Sequence, residues 1–165
     1  MTTIIMAIRD RIKDLRRVRA GDLFASPRNW RVHPKAQVDA MRGILAEVGY
    51  ADACLARELP DGSLELIDGH LRQSLDPEQV VPVLVLDLDE DEAAKMLAVL
   101  DPLAGMAEAN QEALGRLLAD ISTESEAVQA MLDGLAAEHG IDLFESGAEE
   151  APEPQVDRAA ELQAQ

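Results

Sequence analysis

Residues 64–74 read Leu64-Glu65-Leu66-Ile67-Asp68-Gly69-His70-Leu71-Arg72-Gln73-Ser74, and the change of character halfway along decides the fold. Leu64 to Ile67 is a short apolar strand, Asp68-Gly69 lets the backbone turn tightly, and His70 onward opens a helix. The first amides of a helix lack carbonyl partners and carry positive partial charge, so a strand that turns at a glycine straight into a helix makes an anion receptacle. Arg72 in the first turn offers a planar fork of donors that meets phosphate or carboxylate bidentately, and His70 can donate or accept near neutral pH. The same residues also read as a plain turn with an arginine on a solvated helix face, because a Gly-His-x-Arg signal is short.

Working outward, Ala53 to Leu59 and Ser63 to Ile67 read as two strands joined through Pro60-Asp61-Gly62, a hairpin signal. The helix from Gly69 to Leu75 stops before Pro77, and Val80 to Leu88 is a β-branched run suited to a buried strand. Asp89 caps the next helix, with Glu90, Asp91 and Glu92 in its first turn, and Asp101-Pro102 ends it. On the other side, Pro34 opens a helix over Lys35 to Val48 that Gly49 stops. Ser26-Pro27-Arg28-Asn29-Trp30 is a loop, Ala20 to Leu23 a turn and Arg16 to Arg19 a short strand. Ile4, Ile5, Ile8, Ile12 and Leu15 gather on one side of an amphipathic helix over residues 4–15. Glu108 to Ile121 and Glu124 to His139 carry apolar residues at helical spacing and form a helical hairpin over residues 107–144. Residues 145–165 are acidic and poor in large apolar side chains, too poor to offset their ordering entropy, and are expected to be disordered.

The chain is 165 residues long, with two Phe, one Trp and one Tyr, so its core is aliphatic. One cysteine excludes an internal disulfide framework and fits a reducing compartment. No apolar run approaches the roughly 20 residues a bilayer requires, and charge enters the N-terminal stretch too early for a secretory signal, so the expected location is cytoplasmic, without a membrane. The net charge of −17 is unevenly divided. Residues 1–72 hold 12 basic and 10 acidic side chains, net +2, and residues 73–165 hold 3 against 22, net −19. An acidic half repels nucleic acid, so any phosphate contact belongs to the first half. The scatter of His33, His70 and His139, with no close His, Cys or carboxylate spacing to unite them, argues against a catalytic zinc, and no metal ligand set is assigned.

Three segments together extend the short motif: SPRNWRVHP (Ser26 to Pro34), LELIDGHLR (Leu64 to Arg72) and VPVLVLDLDEDEAAKMLAVLDPLAGMAE (Val81 to Glu108). In these the chain resembles the ParB/sulfiredoxin-like N-terminal domain superfamily, in particular phage and bacterial ParB-like proteins, over roughly Leu15 to Met106. The resemblance implies an α+β fold, a small mixed sheet with helices, over residues 16–106, followed here by the helical hairpin and acidic tail. It also implies that the Arg28 to His33 loop and the Gly69 turn line one cleft, and that the turn grips a nucleoside triphosphate, CTP or ATP, with Mg2+. Partitioning ParB proteins carry a Gly-x-Arg-Arg motif at this turn. Here it reads Gly69-His70-Leu71-Arg72, with Leu71 in place of one arginine. Sulfiredoxin-type members place a reactive cysteine beside the turn, whereas Cys54 belongs to an earlier strand and reads as a small buried hydrophobe.

The candidate nucleotide-binding residues are therefore Arg28, Asn29, Trp30, Arg31, Gly69, His70 and Arg72. Arg28, Arg31 and Arg72 suit phosphates, and Trp30 suits either base stacking or anchoring of its own loop. Asp68 and His70, with Asp101 behind them, are the candidates for a general base or for holding a divalent cation that accompanies a nucleotide. Asp101 also reads as a helix boundary before proline, and His33 as a residue at a helix start. Two functions compete: a domain that binds a nucleotide or a nucleic-acid phosphate, with phosphoester hydrolysis as an open addition, and a noncatalytic phage or mobile-element adaptor whose acidic helices engage a basic protein. Both admit a homodimer. A small-molecule kinase, known in the wider superfamily, has no selecting feature here.

Overall fold

The computed structural model describes residues 8–142. The apolar residues before Ile8 and the acidic tail lie outside the described residues.

A five-stranded mixed sheet in the order β1-β5-β3-β4-β2 forms the centre of the fold. Its strands are β1 (Ile12–Arg19), β2 (Leu23–Phe24), β3 (Cys54–Glu58), β4 (Leu64–Asp68) and β5 (Val80–Leu86). β1 runs antiparallel to β5 and β3 antiparallel to β4, while β5 with β3 and β2 with β4 are parallel. The hairpin read from Pro60-Asp61-Gly62 is the β3–β4 pair, with Glu58 opposite Leu64. Pro82 sits within β5 but one residue ahead of its first partner on β3, Val83 opposite Cys54, so the missing N–H breaks no bond to that strand.

β5 is apolar throughout because both of its faces are covered. Val81, Val83 and Val85 are completely buried and pack with Ala20, Leu23, Cys54, Ala56, Leu64 and Leu66. On the opposite face, Ile67 and Leu86 meet Ala93 and Leu97 of the helix α3 (Glu90–Gly105), with Leu55, Leu84 and Met96 around them. Fully burying such an aliphatic side chain contributes roughly 1.5–3 kcal/mol, so these two clusters outweigh any single polar contact in the fold.

The helices start where local chemistry allows. Pro34 precedes α1 (Lys35–Glu47), and Asp89 caps α3 in a reciprocal box, accepting from the Glu92 amide while the Glu92 side chain accepts from the Asp89 amide. The short helix α2 (His70–Leu75) begins at Gly69. Asn110 caps α4 (Gln111–Asp120) through the Ala113 amide, and α5 (Glu126–Glu138) follows.

Two sequence expectations are corrected. Ile12 to Leu15 are not helical: they begin β1, an edge strand whose residues from Ile12 to Arg16 are all exposed or half-exposed. With partners on one side only and little burial on either face, the strand shows no alternation of apolar and polar residues to set against the accidental helical spacing. Pro102 does not end α3, which continues to Gly105. A proline in the last turns of a helix removes a single N–H bond, and here the helix proceeds one further turn beyond it.

The residues divide into two compact units. Among the described residues, one comprises 8–108 together with 123–132, and the other comprises 109–122 with 133–142. In the first unit, Glu47 of α1 holds the chain entering α5: its Oε1 accepts from the Thr123 hydroxyl at 2.6 Å and from the Glu124 and Ser125 amides at 2.9 Å each. Those donors, the Thr123 hydroxyl foremost, hold the Glu47 carboxyl below its ordinary pKa. In the second unit, the Gln111 side-chain Nε2 donates to the His139 carbonyl at 3.0 Å. No helix among the described residues is long and apolar enough to cross a membrane.

Candidate functional site

The turn between β4 and α2 is fixed by Gly69. Its φ of 96° and ψ of 15° place it in the left-handed region, and an added Cβ would lie 2.5 Å from the Cys54 Sγ. Only glycine fits both the dihedral and the close approach. Cys54, which the sequence sets apart as a strand residue, is thus directly against the turn; its thiol is buried, 3.9 Å from the Gly69 carbonyl, and burial pushes its pKa up.

Around this turn lies an open cavity of about 200 Å³, lined by Arg31, His33, Gln37, Met41, Asp52, Asp68, Gly69, His70, Leu71 and Arg72. Of the sequence candidates it gathers Arg31, Asp68, Gly69, His70 and Arg72. Asp52, Gln37 and Met41 are additional lining residues, and His33 takes part as more than the residue before a helix.

The charged side chains form one alternating chain. The Arg72 Nη1 donates to Asp52 at 2.7 Å and its Nη2 approaches Asp68 at 3.5 Å, while the Arg31 Nη1 donates to the other Asp68 oxygen at 3.3 Å. The Arg31 Nε stands 2.5 Å from Asp101 without the alignment of a hydrogen bond. The order is Asp101, Arg31, Asp68, Arg72, Asp52, so each arginine lies between two carboxylates. The guanidiniums are largely withdrawn from water, with side chains 16% exposed for Arg31 and 11% for Arg72, whereas Asp101 is 53% and Asp52 79% exposed. Burial opposes the charge of Arg72, but Asp52, the thiol region and Asp68 outweigh it and leave its pKa raised. Its guanidinium in turn holds the Asp52 carboxyl below the usual range.

Three buried nitrogens beside the cavity lack a hydrogen-bond partner: the Arg31 Nε, which has only its ion pair with Asp101, the Arg31 Nη2 and the His33 Nε2. The His33 Nδ1 meets the Gln37 Oε1 at 3.0 Å, and because that oxygen only accepts, Nδ1 is the donor in this contact. His70 is engaged differently. Its Nε2 accepts from the Ser26 amide at 3.2 Å, which fastens the Ser26 loop to α2, and burial pushes its pKa down. A neutral ring accepting at Nε2 holds its proton on Nδ1.

The remaining loop candidates are placed outside this cavity. Arg28 pairs with Glu90 at 3.0 Å, both more than half exposed, and borders a separate cleft of about 40 Å³ between the loop and α3. Asn29 accepts from the Arg31 amide at 3.3 Å, a turn that shapes the loop. Trp30 donates its indole N–H to the Leu97 carbonyl at 3.3 Å, and its ring lies 5.8 Å from the Arg31 guanidinium carbon. It therefore supports Arg31 from behind through a cation–π contact.

A dedicated metal cage is not built here: among the described residues no group of three or more His, Cys, Asp or Glu side chains converges as ligands would. A magnesium ion arriving on phosphate oxygens needs only one or two protein carboxylates, and Asp68 is the one that faces the cavity from between the arginines.

No protein-family model and no curated protein sequence matches this chain. Among solved structures it is similar to the C-terminally truncated chromosome-partitioning protein ParB from Caulobacter crescentus complexed with CTP-gamma-S, with a TM-score of 0.53 and 19% identity over 79% of this chain and 73% of that one. The same protein complexed to the centromeric parS site superposes with a TM-score of 0.43 and 18% identity over 80% of this chain and 68% of that one. At such identity the first likeness is one of fold.

Proposed function

We propose, from the premise that this chain has a ParB-like fold, that it binds the phosphate of a nucleotide or a nucleic acid in the cavity between Arg31 and the Gly69–Arg72 turn. The observation that carries the reading is the convergence of two largely buried guanidiniums, supplied by segments 41 residues apart, on one cavity beside a glycine-fixed turn. The fold likeness supports it, since the similar ParB structure was obtained with CTP-gamma-S. Arg31 and Arg72 bind oxygen anions in this reading, Gly69 keeps the backbone close, and His70 holds the Ser26 loop in place. Any Mg2+ would come with the nucleotide and draw on Asp68.

Hydrolysis of a phosphoester at this site would require a free base. Asp68 accepts from both arginines and the His70 Nε2 accepts from Ser26, so either would have to be released first. The expected roles of Arg28, Asn29 and Trp30 become, respectively, a surface ion pair, a loop turn and a support for Arg31, with base stacking on the half-exposed Trp30 a separate proposal.

A second reading, a protein adaptor that uses its acidic helices, is favoured by one observation: the arginines of the cavity are already matched by carboxylates. Titration calorimetry with CTP, ATP and a short single-stranded oligonucleotide, with and without Mg2+, separates the two. Binding that weakens at least tenfold in Arg31→Ala supports the phosphate site, and no heat with any of these ligands leaves the adaptor.

A further inference from the structure

Two arginines and two aspartates line the cavity before any ligand enters, and Asp101, outside the lining, pairs with Arg31. Arg31 and Arg72 are set against Asp52, Asp68 and Asp101, with His70 neutral in its buried setting. The three carboxylates are not equivalent. Asp68 is fixed between both guanidiniums, whereas Asp52 and Asp101 each hold one arginine from the outside and are mostly in water, where a side chain rotates away readily.

An incoming phosphodiester, with one negative charge, replaces an outer carboxylate with the balance of the cluster preserved, and a terminal monophosphate, with about −1.5 to −2, exceeds that balance by at most one charge. A triphosphate brings several, and the surplus faces Asp68 and whichever outer aspartate remains, in a site too withdrawn from water for full screening. Space points the same way. The cavity, about 200 Å³ and open to solvent, encloses part of a ligand rather than the whole of one, since sites that enclose a small molecule run to roughly 300–1,000 Å³. So does the hydrogen-bond inventory: the Arg31 Nη2, buried and without a hydrogen-bond partner, is a seat for one oxyanion group.

We propose that the cavity selects a single phosphate group, that of a nucleoside monophosphate or of one linkage in a single strand, over a triphosphate, and that Asp52 and Asp101 are the residues that set this limit. The proposal rests on the phosphate-binding reading of the same site. The outer aspartates act as resident counter-anions: they stabilise the buried arginines in the empty protein, yield to one phosphate, and penalise a longer polyphosphate. Removing their charge leaves an arginine pair that accepts more negative ligand.

The test uses the full chain in titration calorimetry at fixed low salt, with CMP, CTP and a six-nucleotide single strand as probes. Wild type is expected to bind CMP or the strand at least as tightly as CTP; CMP alone identifies a free nucleotide as the source of the phosphate and the strand alone a nucleic acid, and either supports the proposal. Asp52→Asn with Asp101→Asn is expected to tighten CTP tenfold or more while CMP changes less than threefold. Both residues are at the surface, and a thermal melt establishes that the variant is folded; if it is not, Asp101→Asn alone is read in the same way. Wild type binding CTP tenfold more tightly than CMP, or a ratio unmoved by the substitutions, overturns the proposal and leaves the phosphate site standing. Failure of all three probes with both proteins removes the phosphate site itself, and the proposal with it.

Discussion

Gly69 is the position where a single methyl group has the largest local consequence. Its φ of 96° is costly for any side chain, and the new Cβ would meet the Cys54 sulfur at 2.5 Å. Gly69→Ala should lower stability by about 2 kcal/mol or more in denaturant unfolding. Combining it with Cys54→Ala should recover part of the steric loss, because the sulfur is removed while the Cys54 Cβ, 2.9 Å from the added methyl, and the backbone strain remain; additive effects of the two substitutions would show that the sulfur contact is immaterial. His70 makes a second prediction. Burial, opposed by Asp68, lowers its pKa below the ordinary value of about 6.5, so the unfolded chain binds a proton that the folded chain refuses. The stability it contributes is complete above about pH 6.5 and is lost as pH falls toward the folded value, with a slope of at most about 1.4 kcal/mol per pH unit. Unfolding midpoints at pH 7.5 and 5.5 should therefore differ less in His70→Gln than in wild type. The placing of Gly69 and Arg72 at the strand-to-helix turn that lines the cavity was legible, because a turn glycine and a helix-start arginine carry their geometry in the sequence. The exchange of prominence between His70 and His33 was not, since a histidine's role is set by what meets each ring nitrogen, here Ser26 in one case and Gln37 in the other.

At the scale of elements, α3 was the most readable helix, because Asp89 and Glu92 are spaced as a capping box before an apolar run. Asp89→Ala should cost about 1 kcal/mol, measured by chemical denaturation. Glu92 also receives Arg11 at 2.7 Å, and this bond, then the Asp89 amide and the nearby Arg9, pull its pKa down to about 2. A carboxyl depressed in the folded state contributes stability above its unfolded pKa of about 4.3 that is lost as pH falls through the folded value. Glu92→Gln should consequently lower the thermal midpoint at pH 6, with the difference from wild type shrinking as pH is taken from 4.5 toward 2. The hairpin strands β3 and β4 and the buried β5 were equally legible, from the Asp-Gly turn and from a β-branched run covered on both faces. β1 was not. Ile12 and Leu15 are each about half exposed on an edge, and without a buried face to impose alternation their three-residue spacing imitates a helix.

For the whole molecule, charge is the dominant long-range property. With a net charge of −17, duplex DNA should show no nonspecific binding in fluorescence anisotropy at physiological salt, and an affinity falling steeply with salt would contradict that expectation. The division into two units was the least legible property, because α5 begins among residues of the first unit and ends among those of the second, and a continuous helical pattern holds no mark of such a change. The lone cysteine, lodged against the strand-to-helix turn and 1% exposed, has a practical consequence on this scale. A maleimide reagent reaches that sulfur only when β3 and the turn separate, so its alkylation rate clocks the breathing of the turn that lines the cavity, and an occupant of the cleft should slow the clock in proportion to its occupancy.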